Sequence, residues 1–478
     1  MTLFKRENYL NKIRAFYDDA EIIKVITGVR RCGKSSLMKT IIEELTAKGV
    51  KDENIIFLDL DSREYRKVKT DDQLDELLES KSKADGLKYI FVDEIQNVKN
   101  FEEVINAYRG DGEFSIFITG SNSYLLSGEL ATKLTGRYIE FDMFPLSFEE
   151  YIDIKKFYGK PINTNLTIEL SNYLLEGGFP LAIQYDNLAD KRTYVKSVIS
   201  EIFDKDIKNQ IKINNREAFI KVRDFIINNY GATMSITSLQ NALEKDGIKI
   251  KRTTLDRYIK ALIDAKILYE CKRFDMKSKK SLTGEKKYYL ADTSFYFATN
   301  TDNRINYGPA LENIVYIYAR SRNYEVSIGK IGKLECDFIL RDNNLNYAYV
   351  QVSYTINESK DTEDREYKPL EKIKDNYPKY VITTDYLLQH RNGINHVNLM
   401  DFITNKQSFW ISFSCELCCT SSKHISYRTK QSFVSILHMF FLFPKKHRFF
   451  GSLIFACEQK AKNTKSTANS MFAVLFFK

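Results

Sequence analysis

One string, Gly28-Val29-Arg30-Arg31-Cys32-Gly33-Lys34-Ser35, stands between a short apolar run and a helical segment. Residues 22–27 (IIKVIT) read as a buried strand that stops at Gly28, and Ser36 to Ile42 (SLMKTII) reads as a helix. Glycines at both ends let the backbone curl around a chain of phosphates, with N–H groups aimed inward at a helix N-terminus. Gly28, Val29, Arg30, Arg31, Cys32, Gly33, Lys34, Ser35 and Ser36 then form the cradle. Lys34 is expected to reach the β- and γ-phosphates of ATP, and the Ser35 hydroxyl to ligate Mg²⁺.

A second landmark fits the first. Lys88 to Glu94 (KYIFVDE) is a buried-type strand ending in two acids. Asp93 at its tip is placed to hold Mg²⁺ through water, and Glu94 to polarise the water that attacks the γ-phosphate. The plainer alternative for Glu94 is a solvated loop acid. An Asp-Glu tip selects the branch of phosphate-loop folds with an extra strand between the two landmark strands. Phe114 to Thr119 (FSIFIT) supplies that strand and Phe101 to Tyr108 the helix before it. Thr119, Ser121 and Asn122 at its tip are candidate γ-phosphate sensors. Arg137, just before a strand over 138–143, is a candidate for stabilising transferred charge in cis or across a subunit interface; its alternative is a surface salt bridge. Arg30 and Arg31 are expected to touch phosphate or a neighbour. No kinase acceptor or GTPase base-reading motif accompanies these residues, so the expected reaction is ATP + H₂O → ADP + phosphate, used as a conformational switch.

Helices follow. Ser147 reads as the N-cap of one, with Glu149 and Glu150 in its first turn, and Gly177-Gly178-Phe179-Pro180 terminates another. Further helical segments at 194–207 and 216–229 complete an expected lid. From Ile236 the pattern becomes two short helices, 236–243 and 253–265, then strands at 267–274 and 286–291, which read as a winged helix. Its second helix would place Lys251, Arg252, Arg257 and Lys260 near the phosphates of double-stranded DNA. Winged helices also serve merely to pack domains, and that alternative stands beside DNA binding.

The segments GVRRCGKSS, YIFVDEIQ, FITGSNS, LTGR, PLSFEEY and YLLEGGFP occur in that order. They resemble uncharacterised prokaryotic ATP-binding proteins that join an AAA-type ATPase domain to a C-terminal domain of unknown function, over about residues 3–403. The resemblance implies an α/β P-loop NTPase of the AAA/ASCE type, a winged helix and a terminal restriction-endonuclease-like α/β module. In that module Glu312 falls near a helix start and Asp337 on a strand, with 347–354 as its partner strand. A nuclease of the PD-(D/E)xK type needs Asp, then an acid, then Lys, so that two carboxylates hold Mg²⁺ and the lysine positions water. Gln351 and Ser353 stand where the second acid and the lysine belong, so the module is expected to be degenerate and to bind rather than cut. Glu312 and Glu335 are the residues that would compensate in part.

The domain plan is 1–145 for the ATPase core, 146–230 for the lid, 231–300 for the winged helix, 301–405 for the degenerate module and 406–478 for a tail outside the fold. The chain carries a net charge of +9, but residues 408–478 hold ten Lys+Arg against two acids, so nearly all the excess lies in the tail. Charge alone therefore makes no case for nucleic acid. Cys415, Cys418 and Cys419 with His424 lack a second pair at zinc-finger spacing, so no metal is expected there. The N-terminus has no apolar signal core, and Cys32, Cys271 and Cys336 are widely scattered, which suits a cytoplasmic protein without membrane contact. Beside the ATPase stand two other readings: a nucleotide-gated scaffold for DNA, a protein partner or itself, and an ATP-regulated nuclease.

Overall fold

Strand β1 (Ile23–Thr27) is buried along its whole length, including its one charged residue. The Lys24 ammonium donates to the Asp19 carbonyl at 2.6 Å and to Ser115 Oγ at 2.8 Å, which is what allows a lysine into an otherwise apolar strand. Around it the computed structural model builds an α/β layer; it describes residues 3–120, 134, 136–208, 210–278, 280–300 and 304–409. Ser121, Asn122 and residues 410–478 lie outside the described residues; the first part of the expected tail belongs to the fold, since Phe409 is fully buried against Tyr318, Tyr380 and Phe402.

Helix α1 (Glu7–Ile13) precedes β1, and α2 (Lys34–Ala47), β2 (Ile55–Asp59), α3 (Asp71–Lys81), β3 (Lys88–Asp93), α4 (Phe101–Gly110), β4 (Phe114–Gly120) and β5 (Tyr138–Asp142) follow. The strands are all parallel in the order β2-β3-β4-β1-β5, so β4 does lie between the loop-bearing strand and the Asp-Glu strand. Parallel strands need cover on both faces. Tyr9, Met38 and Ile41 pack on one side, Leu74, Leu78, Val104 and Ile105 on the other.

The helical segment comprises α5 (Phe148–Phe157), α6 (Leu166–Glu176), α7 (Leu188–Glu201), a π-helical stretch Ile202–Ile207, and α8 (Arg216–Asn228). Helix α5 opens on the expected Ser147, in a capping box: Ser147 Oγ accepts from Glu150 N–H at 3.3 Å and the Glu150 carboxylate accepts from Ser147 N–H at 3.0 Å.

Then come β6 (Thr233–Met234), α9 (Ile236–Lys245), α10 (Arg252–Asp264), β7 (Leu268–Asp275), β8 (Lys280–Leu290), α11 (Ser294–Thr299), α12 (Tyr307–Ser321), β9 (Glu325–Ile331), β10 (Leu334–Arg341), β11 (Tyr347–Val352), α13 (Lys360–Glu371), β12 (Lys379–Thr383), β13 (His390–Arg391), β14 (Ile394–Asn398) and α14 (Leu399–Thr404). Strand β7 runs parallel to β9, with Phe274 opposite Gly329, and this joins all nine strands into one sheet, β13-β14-β12-β11-β10-β9-β7-β8-β6. The sequence carries no local mark of that junction, because the two strands are separated by β8 and two helices.

A buried carboxylate ties β8 to the helical segment. Asp292 accepts from Gly178 N–H at 2.6 Å and from Ser294 N–H at 2.8 Å. Gly177 sits at φ +77°, where a Cβ would stand 2.1 Å from Asp292 Oδ1, so the turn that ends α6 requires glycine twice over. Burial pushes the Asp292 carboxyl up to about 6, against the pull of its donors. Since the folded value exceeds the unfolded one, this group's contribution to stability is full below the unfolded value and is lost as pH rises through about 6. Thermal melts of wild type and Asp292→Asn should therefore diverge in favour of wild type as pH is lowered from neutral towards 5, in keeping with the shift. A pH-independent difference would rule this out.

Candidate nucleotide site and C-terminal cleft

The loop leaves β1 under a tight steric constraint. Gly28 has φ +146°, and a Cβ there would lie 2.1 Å from the Met143 carbonyl oxygen, so no other residue fits beside the end of β5. Gly33, at φ +108°, caps α2 and directs Lys34, Ser35 and Ser36 into its first turn. Lys34 is buried and its ammonium donates to the Gly28 and Val29 carbonyls at 3.0 and 3.4 Å, so it lies along the cradle it was expected to serve. Val29 and Cys32 point into the core; burial pushes the Cys32 thiol up, so it contributes backbone and packing rather than a reactive sulfur.

The two acids at the tip of β3 are bridged by one hydroxyl. Thr119 Oγ1, on neighbouring β4, donates to Asp93 Oδ1 and accepts the Glu94 N–H at 3.0 Å. Thr119 therefore ties the Asp93 carboxylate and the Glu94 backbone to one point. Glu94 adopts φ +56°, uncommon for a residue with a Cβ, and takes a hydrogen bond from Gln96 Nε2 at 2.5 Å. Burial pushes its carboxyl up while Lys34 and Arg30 pull it down.

Arg30 faces a neighbour. Its guanidinium makes a bidentate pair with Asp206 of the π-helical stretch, at 2.9 and 2.8 Å, and its Nη2 lies 3.6 Å from Glu94 Oε2. Glu201 is 3.8 Å away and also holds the more exposed Arg31 at 3.1 Å. The loop is thus fastened to the helical segment by two arginines, and one of them touches the Asp-Glu strand as well. A third arginine, which sequence reasoning passed over, fastens it from below. Arg6 pairs with Glu150 at 2.9 and 2.5 Å and donates to the carbonyls of Cys32, Phe144 and Pro145.

Arg137 is not brought to this site. Its backbone carbonyl accepts from Ile23 N–H at the entry to β1, while the loop leaves from the other end of that strand, and its Nη1 donates to Asn106 Oδ1 at 3.0 Å. Five strand residues at about 3.3 Å each separate the two ends. The cis role is therefore withdrawn; Arg137 is an exposed arginine with a polar partner.

Elsewhere, Lys251, just before α10, and Arg252, Arg257 and Lys260 along it are all exposed, and the helix's other face buries Leu255, Tyr258, Ile259 and Leu262. Lys260 is shared with Asp264 at 3.0 Å.

A cleft of about 580 Å³ opens beside β10 and β11, lined by Glu312, Glu335, Asp337, Gln351, Ser353 and Arg365 among others. Asp337 is buried; its Oδ2 accepts the Val352 N–H at 2.8 Å and its own N–H reaches Gln351 Oε1 at 3.3 Å. Burial pushes the Asp337 carboxyl well up, reinforced by Glu312. Ser353 is turned to the Thr355 carbonyl at 3.2 Å, and Arg365 pairs with Glu366 at 2.8 Å. Glu312 and Glu335, expected to make good the charge of a metal site, are instead taken up by Lys287 of β8, each at 3.1 Å, and Glu335 by Arg273 at 2.6 Å. Among the described residues no group of three or more His, Cys, Asp or Glu side chains is placed to hold a metal ion. Nor is any helix among them long and apolar enough to cross a membrane.

Residues 20–152 match the family model described as an AAA domain, and residues 167–304 match a domain of unknown function (DUF8612). An uncharacterized protein of Haemophilus influenzae is 34% identical over 404 residues, which cover 84% of this chain and 98% of that one. An uncharacterized protein of Methanocaldococcus jannaschii is 33% identical over 363 residues, covering 74% and 79%. Among solved structures, the Walker-type ATPase of Pyrococcus abyssi aligns with a TM-score of 0.44 at 16% identity, covering 62% of this chain and 95% of that one. The Aeropyrum pernix ORC1 protein, solved in complex with DNA, aligns with a TM-score of 0.30 at 13% identity over 62% of this chain and 93% of its own. With its phosphate loop inside the matched AAA domain and a relative aligned over nearly its full length, this chain belongs to the prokaryotic family of those Haemophilus and Methanocaldococcus proteins.

Proposed function

We propose that this protein is an ATPase that hydrolyses ATP to ADP and phosphate and uses the cycle to move its helical segment against the AAA core. The observation that carries the reading is the shared anchoring of Asp93 and Glu94 by Thr119, on the strand next to the phosphate loop. Lys34 exchanges the Gly28 and Val29 carbonyls for phosphate oxygens when ATP binds. Glu94 accepts a proton from the attacking water as the bond between the γ-phosphorus and the β–γ bridging oxygen breaks and ADP leaves with that oxygen. Arg30, 3.6 Å from Glu94, favours its ionised, proton-accepting form. Ser35 and the buried Asp93 are the residues that would hold Mg²⁺, which when bound neutralises charge on the β- and γ-phosphate oxygens. Because Arg30 and Arg31 join the loop to Asp206 and Glu201, a change in loop charge on binding or losing phosphate is felt directly by the π-helical stretch.

We read residues 231–300 as a winged helix and 301–405 as a restriction-endonuclease-like module. The order short strand, two helices and two long strands, with β6 paired to β8, supports the first; a helix followed by three antiparallel strands, a helix and a parallel strand supports the second. Duplex DNA is the proposed partner, approached by the exposed face of α10. The test is phosphate release, together with anisotropy of a labelled duplex, over a series of salt concentrations. Binding should fall steeply with salt, by a slope of about −0.9 in log K per phosphate contact, and Lys251→Glu with Arg252→Glu should weaken it. Shortening the chain to residues 1–409 should leave hydrolysis intact while reducing salt-sensitive adhesion to DNA. Salt-independent or absent binding removes DNA as a partner, and loss of hydrolysis on shortening places the tail inside the machine.

A further inference from the structure

The C-terminal module presents a disagreement between its expected chemistry and its side chains. A nuclease of that architecture concentrates carboxylates so that a divalent cation can sit among them. Here the carboxylates are present but occupied. Lys287 enters from β8, a strand that belongs to the preceding hairpin, and its ammonium lies 3.1 Å from Glu312 Oε2 and 3.1 Å from Glu335 Oε1. The Tyr289 hydroxyl, two residues on and on the same face of β8, donates to Glu312 Oε2 at 2.9 Å. Arg273 takes the other oxygen of Glu335 at 2.6 Å. The Asp337 Oδ2 is held by Val352 N–H. Against burial, which works to lower it, Glu312, Asp337 and Glu335 raise the Lys287 ammonium's hold on its proton, so it stays charged.

We propose that Lys287 is a built-in cation that takes the place of the divalent ion in this cleft, so that the module carries no metal-dependent chemistry. A lysine supplied from the neighbouring hairpin is possible only because β7 pairs with β9 and places β8 within reach of the cluster. Gln351 and Ser353 are consistent with it: with a fixed ammonium already balancing the acids, neither a second strand carboxylate nor a separate lysine is called for. The proposal extends the restriction-endonuclease-like reading of residues 301–405 and is independent of ATP hydrolysis.

The experiment titrates Mn²⁺ into the nucleotide-free full-length protein by calorimetry, for wild type, Asp337→Asn, Lys287→Met, and Lys287→Met with Asp337→Asn. Comparing each protein with its Asp337→Asn partner isolates the cleft from any metal bound near Asp93. The expected result is no Asp337-dependent Mn²⁺ binding in wild type and a new Asp337-dependent site in Lys287→Met. Mn²⁺ binding in wild type that disappears with Asp337→Asn overturns the proposal, as does a folded Lys287→Met that gains no site. If Lys287→Met does not fold, recovery of the fold by Mn²⁺ or by adding Glu312→Gln supports the internal charge balance, and failure of both counts against it. Phosphate release from the same preparations reports the ATP site separately, and so keeps this outcome distinct from the fate of the ATPase reading.

Discussion

Replacing Arg6 by Met should lower the unfolding free energy of the AAA core by about 3–5 kcal/mol, the usual consequence of removing one partner of a buried ion pair. The magnitude follows from what is left behind. Glu150 would remain buried with its charge unmatched, and the carbonyls of Cys32, Phe144 and Pro145 would lose a donor in the same step. Arg6→Lys should recover only part of the loss, because a single ammonium cannot reproduce a bidentate fork while reaching three carbonyls. Thermal or urea melts of the three proteins check this, and a shift near zero for Arg6→Met would mean that the cluster is not holding the loop. Cys32 lies inside the phosphate loop, so nucleotide affinity should fall together with stability.

Glu94→Gln should reduce the rate of ATP hydrolysis by about 10²–10⁴-fold while leaving ATP binding nearly unchanged. The amide keeps the size of the side chain but cannot accept a proton from water. Its backbone N–H still reaches Thr119, so Asp93 stays positioned. The separation of binding from turnover distinguishes this variant from Lys34→Ala, in which both should fail, and isothermal titration with ATP beside a phosphate assay measures each part. Equal rates in wild type and Glu94→Gln would remove Glu94 from the chemistry.

The parts of the site that were legible in the sequence are those whose constraints are local. The loop announces itself through two glycines and a lysine at fixed spacing, and β3 through a run of apolar residues ending in Asp93-Glu94. The strand order followed because that acid pair accompanies one arrangement of the sheet. The residues missed are pairs whose members lie far apart. Arg6 and Glu150 are separated by 144 positions and Arg30 and Asp206 by 176, and nothing in the chain near Arg6 or Asp206 distinguishes them from surface charges. Lys287 was hidden differently: Lys286-Lys287-Tyr288-Tyr289 does not alternate in polarity, so the strand pattern does not tell which lysine faces inward. The pairing does, since Lys286 reaches Glu270 while Lys287 meets Glu312 and Glu335. The cis role expected for Arg137 failed in the opposite sense. Its place after Leu134-Thr135-Gly136 suggested chemistry, but β5 runs parallel to β1 and carries it to the entry end of the strand, away from the loop at Gly28–Ser36.

On the proposed reading, the loop at Gly28–Ser36 and the acids at Asp93 and Glu94 act as one hydrolytic site. The most direct test is steady-state phosphate release from ATP and Mg²⁺ by the full-length protein, with Lys34→Ala purified and assayed in parallel. Turnover by wild type that is lost in Lys34→Ala is the predicted result. Release at the same rate from both proteins, with or without duplex DNA, would mean that the loop and the acids do not hydrolyse ATP.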